Sequence, residues 1–280
     1  MLTALLGTVT AALFGSSDFL GGLASRRSSA LSITALVYAV GVVLFAVVVL
    51  VVPPSLLTRS DILWSAASGV AGTIGVLALY AALAAGRMGV VAPITAALSG
   101  AGPAAFDLLR GSHVGAPALL GLVLALVAVV IVSTATHPED EQAMTPRALA
   151  LSVVSGTGFA ISLVALSRTG HASSMAPLLI ARCVGVVILG VALLARREGL
   201  SLAAGARRTS LAAGTLDVAA NVTMLTAIRI GPLAVAAVIG SLYPVVTVLL
   251  ARIVLRERLH RLQIVGVAIA LAAVVLTALP

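Results

Sequence analysis

Asp18, Arg182 and Asp217 are ionisable side chains set inside long apolar runs. A charge held at mid-membrane costs about 2.5–3.5 kcal/mol on insertion scales, so each one is a candidate for a pathway or a binding site. At about 1.5 Å of rise per helical residue, Asp18 lies roughly 22 Å from the face carrying the termini and Asp217 roughly 20 Å. Two carboxylates therefore share a level. Asn221 follows Asp217 by one turn on the same helix face. Thr157 and Tyr243 fall near mid-depth, and Ser16 and Ser17 flank Asp18. Together Asp18, Asp217, Asn221, Arg182, Thr157, Tyr243 and Ser17 would line a polar pocket for substrate and protons. Carboxylates crowded into one poorly hydrated space favour keeping a proton between them. Such a group can trade that proton for a cationic or zwitterionic substrate, and the exchange needs no cofactor and no metal.

A purely structural reading stays open for each charge. Arg182 and Asp217 would neutralise one another and hold two helices together. Yet Arg182 counts to roughly 10 Å from the terminal face, so its long side chain would have to reach along the cavity. Asp18 would be answered by Arg26 or Arg27, and Asp107 by Arg110 three residues on.

The elements that must position these groups are helices in a bilayer. Hydrophobic residues make up 61% of the 280 and charged residues 9%, against about 25% charged in soluble domains. Stretches such as 31–52 and 262–279 carry no charge, and each spans a hydrocarbon core of ~30 Å as a helix. Ten spans are predicted, near 3–23, 32–52, 62–84, 90–109, 117–135, 148–167, 175–195, 210–228, 233–253 and 262–279. Unbroken apolar runs of this length do not alternate as barrel strands must. The net charge of +8 comes from 17 basic residues, all Arg, against nine acidic ones, and apart from Arg182 and Arg252 the arginines sit singly or in pairs between spans. That pattern points to a lipid bilayer and away from nucleic acid. Trp64, near the start of a span, suits an interface anchor.

The chain also repeats itself. Gly72-Thr73 lines up with Gly214-Thr215, and Leu83, Arg87 and Gly89 line up with Leu225, Arg229 and Gly231, at a constant offset of 142 residues. Gly41-Val42-Val43 meets Gly185-Val186-Val187 after a further shift of two. The expected domains are a first five-helix repeat at 1–136, an acidic linker at 137–147 and a second repeat at 148–280. An odd number of spans per copy turns the second copy upside down, which is the architecture of an alternating-access carrier. Eleven arginines fall in loops after odd-numbered spans and four in loops after even-numbered ones. The positive-inside rule then puts both termini outside.

The last third carries Pro244, then Leu255-Arg256-Glu257-Arg258, then Gln263-Ile264-Val265-Gly266, and the chain opens with FGSSDFLGGLASRR at 14–27. With these motifs it resembles the EamA family of the drug/metabolite transporter superfamily along essentially its whole length. The resemblance implies an exporter of small metabolites or amphipathic compounds, with cytoplasmic termini, in the cytoplasmic (inner) membrane. The first repeat departs from the family pattern. It has no Glu-Arg turn, and Pro103 to Gly121 is 18 residues where Pro244 to Gly266 is 22.

Rival classes leave little trace. An intramembrane enzyme needs a nucleophile with its base, or metal-ligand spacing; the four His, at 113, 137, 171 and 260, have neither. A channel would carry a ring of like charges or a broken-helix filter. A flippase for lipids or undecaprenyl-phosphate-type carriers would need a lipid-accessible groove. The lone Cys183 reads as a packing residue. Pro103 and Pro244 occupy matching spots and would bend their helices as gate hinges or as packed kinks. Gly121/Ala125 and Gly266/Ala270 make small faces for close helix packing or a homodimer contact.

Overall fold

The computed structural model describes residues 2–52, 56–86, 88–109, 116–134, 145–199, 202–230, 240, 242–256 and 261–276. Ten α-helices and no strand occur among them. They are α1 (Leu2–Ser25), α2 (Ala30–Val51), α3 (Arg59–Ala85), α4 (Met88–Leu109), α5 (Ala116–Thr134), α6 (Pro146–Ser167), α7 (Ala176–Arg196), α8 (Ala204–Ile230), α9 (Tyr243–Val254) and α10 (Arg261–Leu276). Five of these, α2, α3, α6, α7 and α8, are long and apolar enough to cross a bilayer. Most of the acidic linker, the first part of the span expected at 233–253, and His113, His137 and His260 lie outside the described residues.

Local chemistry sets the helix ends. Thr58 and Asp61 form a capping box that starts α3, with Asp61 N donating to Thr58 Oγ1 (3.1 Å) and Thr58 N donating to Asp61 Oδ2 (2.9 Å). Pro146 opens α6 behind Thr145, whose hydroxyl accepts from Ala148 N at 3.1 Å; proline's missing N–H costs nothing there. Arg256, the second residue of the Leu255-Arg256-Glu257-Arg258 motif, takes φ 55° just after α9. A left-handed residue of this kind ends a helix.

The surface is apolar, and hydroxyl groups are buried inside among apolar side chains. Leu50, Val51 and Leu194 are at least 80% exposed, whereas Thr10, Ser17, Ser65, Ser68, Thr73, Ser152 and Ser155 are buried. An apolar belt of this extent needs lipid around it. Inside, helices associate through small residues and hydroxyls, because lipid tails leave no hydrophobic drive between helices. On the α1–α8 pair, Ser17 Oγ donates to Ala213 O (2.9 Å) and Thr10 and Thr223 share a hydrogen bond of 2.8 Å. On the α3–α6 pair, Ser68 and Ser162 do the same at 2.8 Å. A Cβ on Gly158 would come within 2.8 Å of Ala71 O, so only glycine allows that approach. The faces of α5 and α10 that carry Gly121 and Gly266 pack on one another around Ala128 and Ala273.

Contacts between loops tie the two ends of the bundle. At the end holding the α1 N-terminus, Leu56 N donates to Ala172 O (2.9 Å) and Gly170 N to Asp61 Oδ1 (2.7 Å). Arg168 lies 5.9 Å over the Trp64 ring at the same end. At the opposite end Ser29 Oγ donates to Glu198 Oε2 (2.9 Å).

The largest apolar cluster sits toward that opposite end. It gathers Ala24 from the end of α1, Leu79 and Leu83 from the end of α3, Met88 and Val91 from the start of α4, and Leu193 from the end of α7. It therefore seals that half of the bundle.

Pro103 and Pro93 both lie inside α4. The expected helix bend at Pro244 is corrected: α9 begins at Tyr243, so Pro244 stands in its first turn. A proline in that position breaks no hydrogen bond.

Candidate functional site

A cavity of about 180 Å³ opens beside the largest apolar cluster, inside the bundle. Its walls come from α1, α2, α3 and α4 and also from α6, α7, α8 and the start of α9. The last turns of α6 (Phe159 to Leu166) and the first turns of α7 (Leu178 to Arg182) line it toward the end bearing the α1 N-terminus, and Asp18 and Tyr80 line it past mid-helix toward the opposite end. By the volume one water needs, it holds on the order of a dozen waters or one small metabolite.

Asp18, Arg182, Asp217, Asn221 and Tyr243 all line this cavity. Arg182 Nη2 bonds directly to Asp217 Oδ2 as a buried ion pair. The depth count separated these two groups by about 10 Å along the bundle axis; the arginine side chain closes the gap. Asn221 Nδ2 donates one turn back to Asp217 O at 2.8 Å. The guanidinium stacks on the Tyr38 ring, 4.3 Å from its centroid, with Phe45 at 5.8 Å. A stacked, desolvated guanidinium gains cation–π attraction that a bare ion pair lacks.

Two glycines make this arrangement possible. A Cβ on Gly41 of α2 would reach 3.2 Å from Arg182 Cδ, and one on Gly185 of α7 would run into the Tyr38 ring and come within 2.5 Å of Thr73 Oγ1. Gly41 follows Tyr38 by three residues, as Gly185 follows Arg182. Each helix thus leaves a gap for the other's functional side chain. Gly185→Ala is expected to displace Tyr38 from beneath Arg182 and cost about 1–3 kcal/mol by overpacking, read as a lower Tm in detergent.

Asp18 faces the cavity with no counter-ion among the described residues. Arg26 instead donates to Leu83 O and Gly86 O at 3.4 Å each. Among the described residues Asp18 receives no hydrogen bond, and the Asp217 carboxylate lines the same cavity. Ser17 points away, to the α8 backbone, so it braces α1 and does not line the pocket. Thr157 is corrected: it lies on the exposed face of α6, away from the cavity. Phe159 and Ser162 of the same helix line the cavity, so it is the rotation of Thr157 about the helix that keeps it out.

Tyr38 and Tyr80 were missed from the sequence. The chain has three tyrosines, and all three line the cavity. A tyrosine in the middle of an apolar span must bring its hydroxyl to a partner or to water, and that was the available signal. The rest of the wall is apolar, with Phe14, Val76, Phe159, Leu163 and Met224. No group of three or more metal-ligating side chains occurs among the described residues.

A solved crystal structure shares this fold, with a TM-score of 0.66 over 99% of this chain and 94% of the other at 16% identity. No curated protein matches the chain in sequence. The model of the EamA-like transporter family matches residues 146–279. Members of that family are membrane transporters, which suits a multi-pass helical bundle whose charged groups line one inner cavity. Residues 146–279, just under half of the chain, are thus an EamA-like transporter segment.

Proposed function

We propose that the chain is a proton-coupled secondary carrier that exports small metabolites or amphipathic compounds across the cytoplasmic membrane by alternating access. One observation carries this reading: a cavity inside a lipid-clad bundle gathers Asp18, Arg182 and Asp217 on walls drawn from both halves of the chain. An uncompensated carboxylate in such a place is expensive unless it is used. Asp18 would hold the coupling proton and release it to a cationic or zwitterionic substrate.

Residues 1–136 and 148–280 would be the two inverted repeats, joined by 137–147. The packing supports this: α1 lies on α8 as α6 lies on α3, and α2 lies on α8 as α7 lies on α3. The loop contacts support it too. Ser29 and Glu198 meet at one end and Ala172 and Leu56 at the other, and adding or subtracting about 142 carries one pair close to the other. Arg182 stacking on Tyr38 has the same meaning, because the offset that joins Gly41 to Gly185 also joins Tyr38 to Arg182. An axis in the membrane plane would pass beside that stack.

The arginine-rich end, sealed here, would face the cytoplasm. A phosphatase fused to the C-terminus is then expected to be active, and a fluorescent-protein fusion dark; the opposite pair of results would reverse the orientation. Function is tested by flux in proteoliposomes. Saturable, proton-gradient-dependent uptake of a small amphipathic amine supports a carrier, whereas gradient-independent conductance would make the chain a channel.

A further inference from the structure

The end of the bundle opposite the α1 N-terminus carries five arginines whose charge nothing answers. Arg27 lies in the turn after α1, Arg196 ends α7, Arg197 follows it at φ 52°, and Arg207 and Arg208 stand near the start of α8. All five are exposed, and none of their side chains has a hydrogen bond or an ion pair among the described residues. The acid set among them, Glu198, already accepts from Ser29 Oγ at 2.9 Å. Arg26, their neighbour in sequence, is turned inward to the carbonyls of Leu83 and Gly86.

The fold draws these charges together. Ser29 and Ser32 bond the turn after α7 at Glu198 and Gly199. Arg27 Nη1 stands 3.2 Å from where a Cβ on Gly205 would sit, so it lies against the first turn of α8. Like charges gathered this closely repel one another unless anions come from outside.

Beside the arginines the surface is apolar. α2 packs on both α7 and α8, and its outer face leaves Ala39 and Val43 exposed. α7 exposes Val191 and Leu194 just before Arg196, and α8 exposes Leu211 one turn beyond Arg207. A basic rim above an apolar lane has the two-part chemistry of a charged lipid. An arginine fork pairs with phosphate through two parallel bonds, and its stem lies along hydrocarbon. Basic clusters between helices at a membrane face hold anionic headgroups in this way. A soluble anion would answer the charges and leave the lane bare; a neutral lipid would do the reverse.

We infer that this rim is a binding site for an anionic phospholipid. Its phosphodiester sits among Arg27, the Arg196–Arg197 pair and the Arg207–Arg208 pair, and its acyl chains run along α2 between α7 and α8. The lipid thereby bridges the turn after α1 to the start of α8 and buttresses the sealed end. The site is separate from the cavity and from whatever the cavity carries.

The test is native mass spectrometry of the full chain, titrated in micelles with phosphatidylglycerol or phosphatidylcholine of identical acyl chains. Phosphatidylglycerol is expected to bind the more tightly. Arg207→Gln/Arg208→Gln should weaken it roughly thirtyfold, at about fivefold per arginine beside an anionic headgroup, and leave phosphatidylcholine unchanged. Arg252→Gln removes an exposed arginine at the same end but on α9, and should leave both affinities unchanged. Equal affinity of the wild-type protein for the two lipids overturns the inference whether or not any variant folds. A loss through Arg252→Gln as large as one rim arginine's overturns it too, since the attraction is then diffuse. So does displacement of phosphatidylglycerol by millimolar inorganic phosphate, which would mark a site for soluble anions. None of these readings depends on flux, so the carrier reading stands or falls separately.

Discussion

Asp217→Asn is expected to lose about 3–5 kcal/mol of stability, because it strands the buried Arg182 guanidinium without its counter-charge. The pair joins α7 to α8 beside Tyr38, with both side chains about nine-tenths buried. The amide still offers an oxygen, so a hydrogen bond persists while the charge balance is lost. Thermal unfolding in detergent, followed by tryptophan fluorescence from Trp64 or by circular dichroism, would read the loss. The double variant Arg182→Met/Asp217→Leu should recover most of it, since apolar replacement of a whole buried pair is often neutral or stabilising. Recovered folding without recovered transport would separate what the pair does for the bundle from what it does for substrate. A single variant with an unchanged Tm would show that the pair contributes nothing to holding α7 and α8 together.

Asp18→Asn has the opposite signature. Nothing in the described structure compensates this carboxylate, so neutralising it relieves part of the roughly 2.5–3.5 kcal/mol that a mid-membrane charge costs. The variant is expected to be as stable as the parent or more so, with gradient-driven flux reduced to the background of empty vesicles. Gains in stability with loss of activity are typical where a site is strained for function. Flux at the parent's rate through Asp18→Asn would remove this group from the coupling step.

Helix positions were legible because a bilayer demands long apolar runs and charge marks their ends; α1 through α8 follow the stretches read from hydropathy. The all-α class and the family followed from the same runs and from the motifs at 244–266. Rotation was not legible. Thr157 shares its depth with true wall residues but faces outward, because α6 is apolar all round and has no hydrophobic stripe to set its angle. Side-chain reach was the second blind spot, as the Arg182–Asp217 bond shows. Pro244 failed for a third reason. A proline bends a helix only when a turn precedes it, and α9 starts one residue earlier.

Among the described residues the seal at the arginine-rich end gathers Leu83, Met88, Val91 and Leu193, with polar bonds from Ser29 to Glu198, from Arg26 to Leu83 O and Gly86 O, and from Ser32 to Gly199 O. Parting it would wet apolar surface at about 25 cal/mol per Å². For a carrier working as proposed, the conformer open to that end is then the minor species in an empty protein. Its apparent affinity for solute arriving from that direction is diluted by its small population. A solute that fills the chamber and lets the seal part would shift that balance, so occupancy, more than intrinsic tightness, would govern how often the molecule turns over.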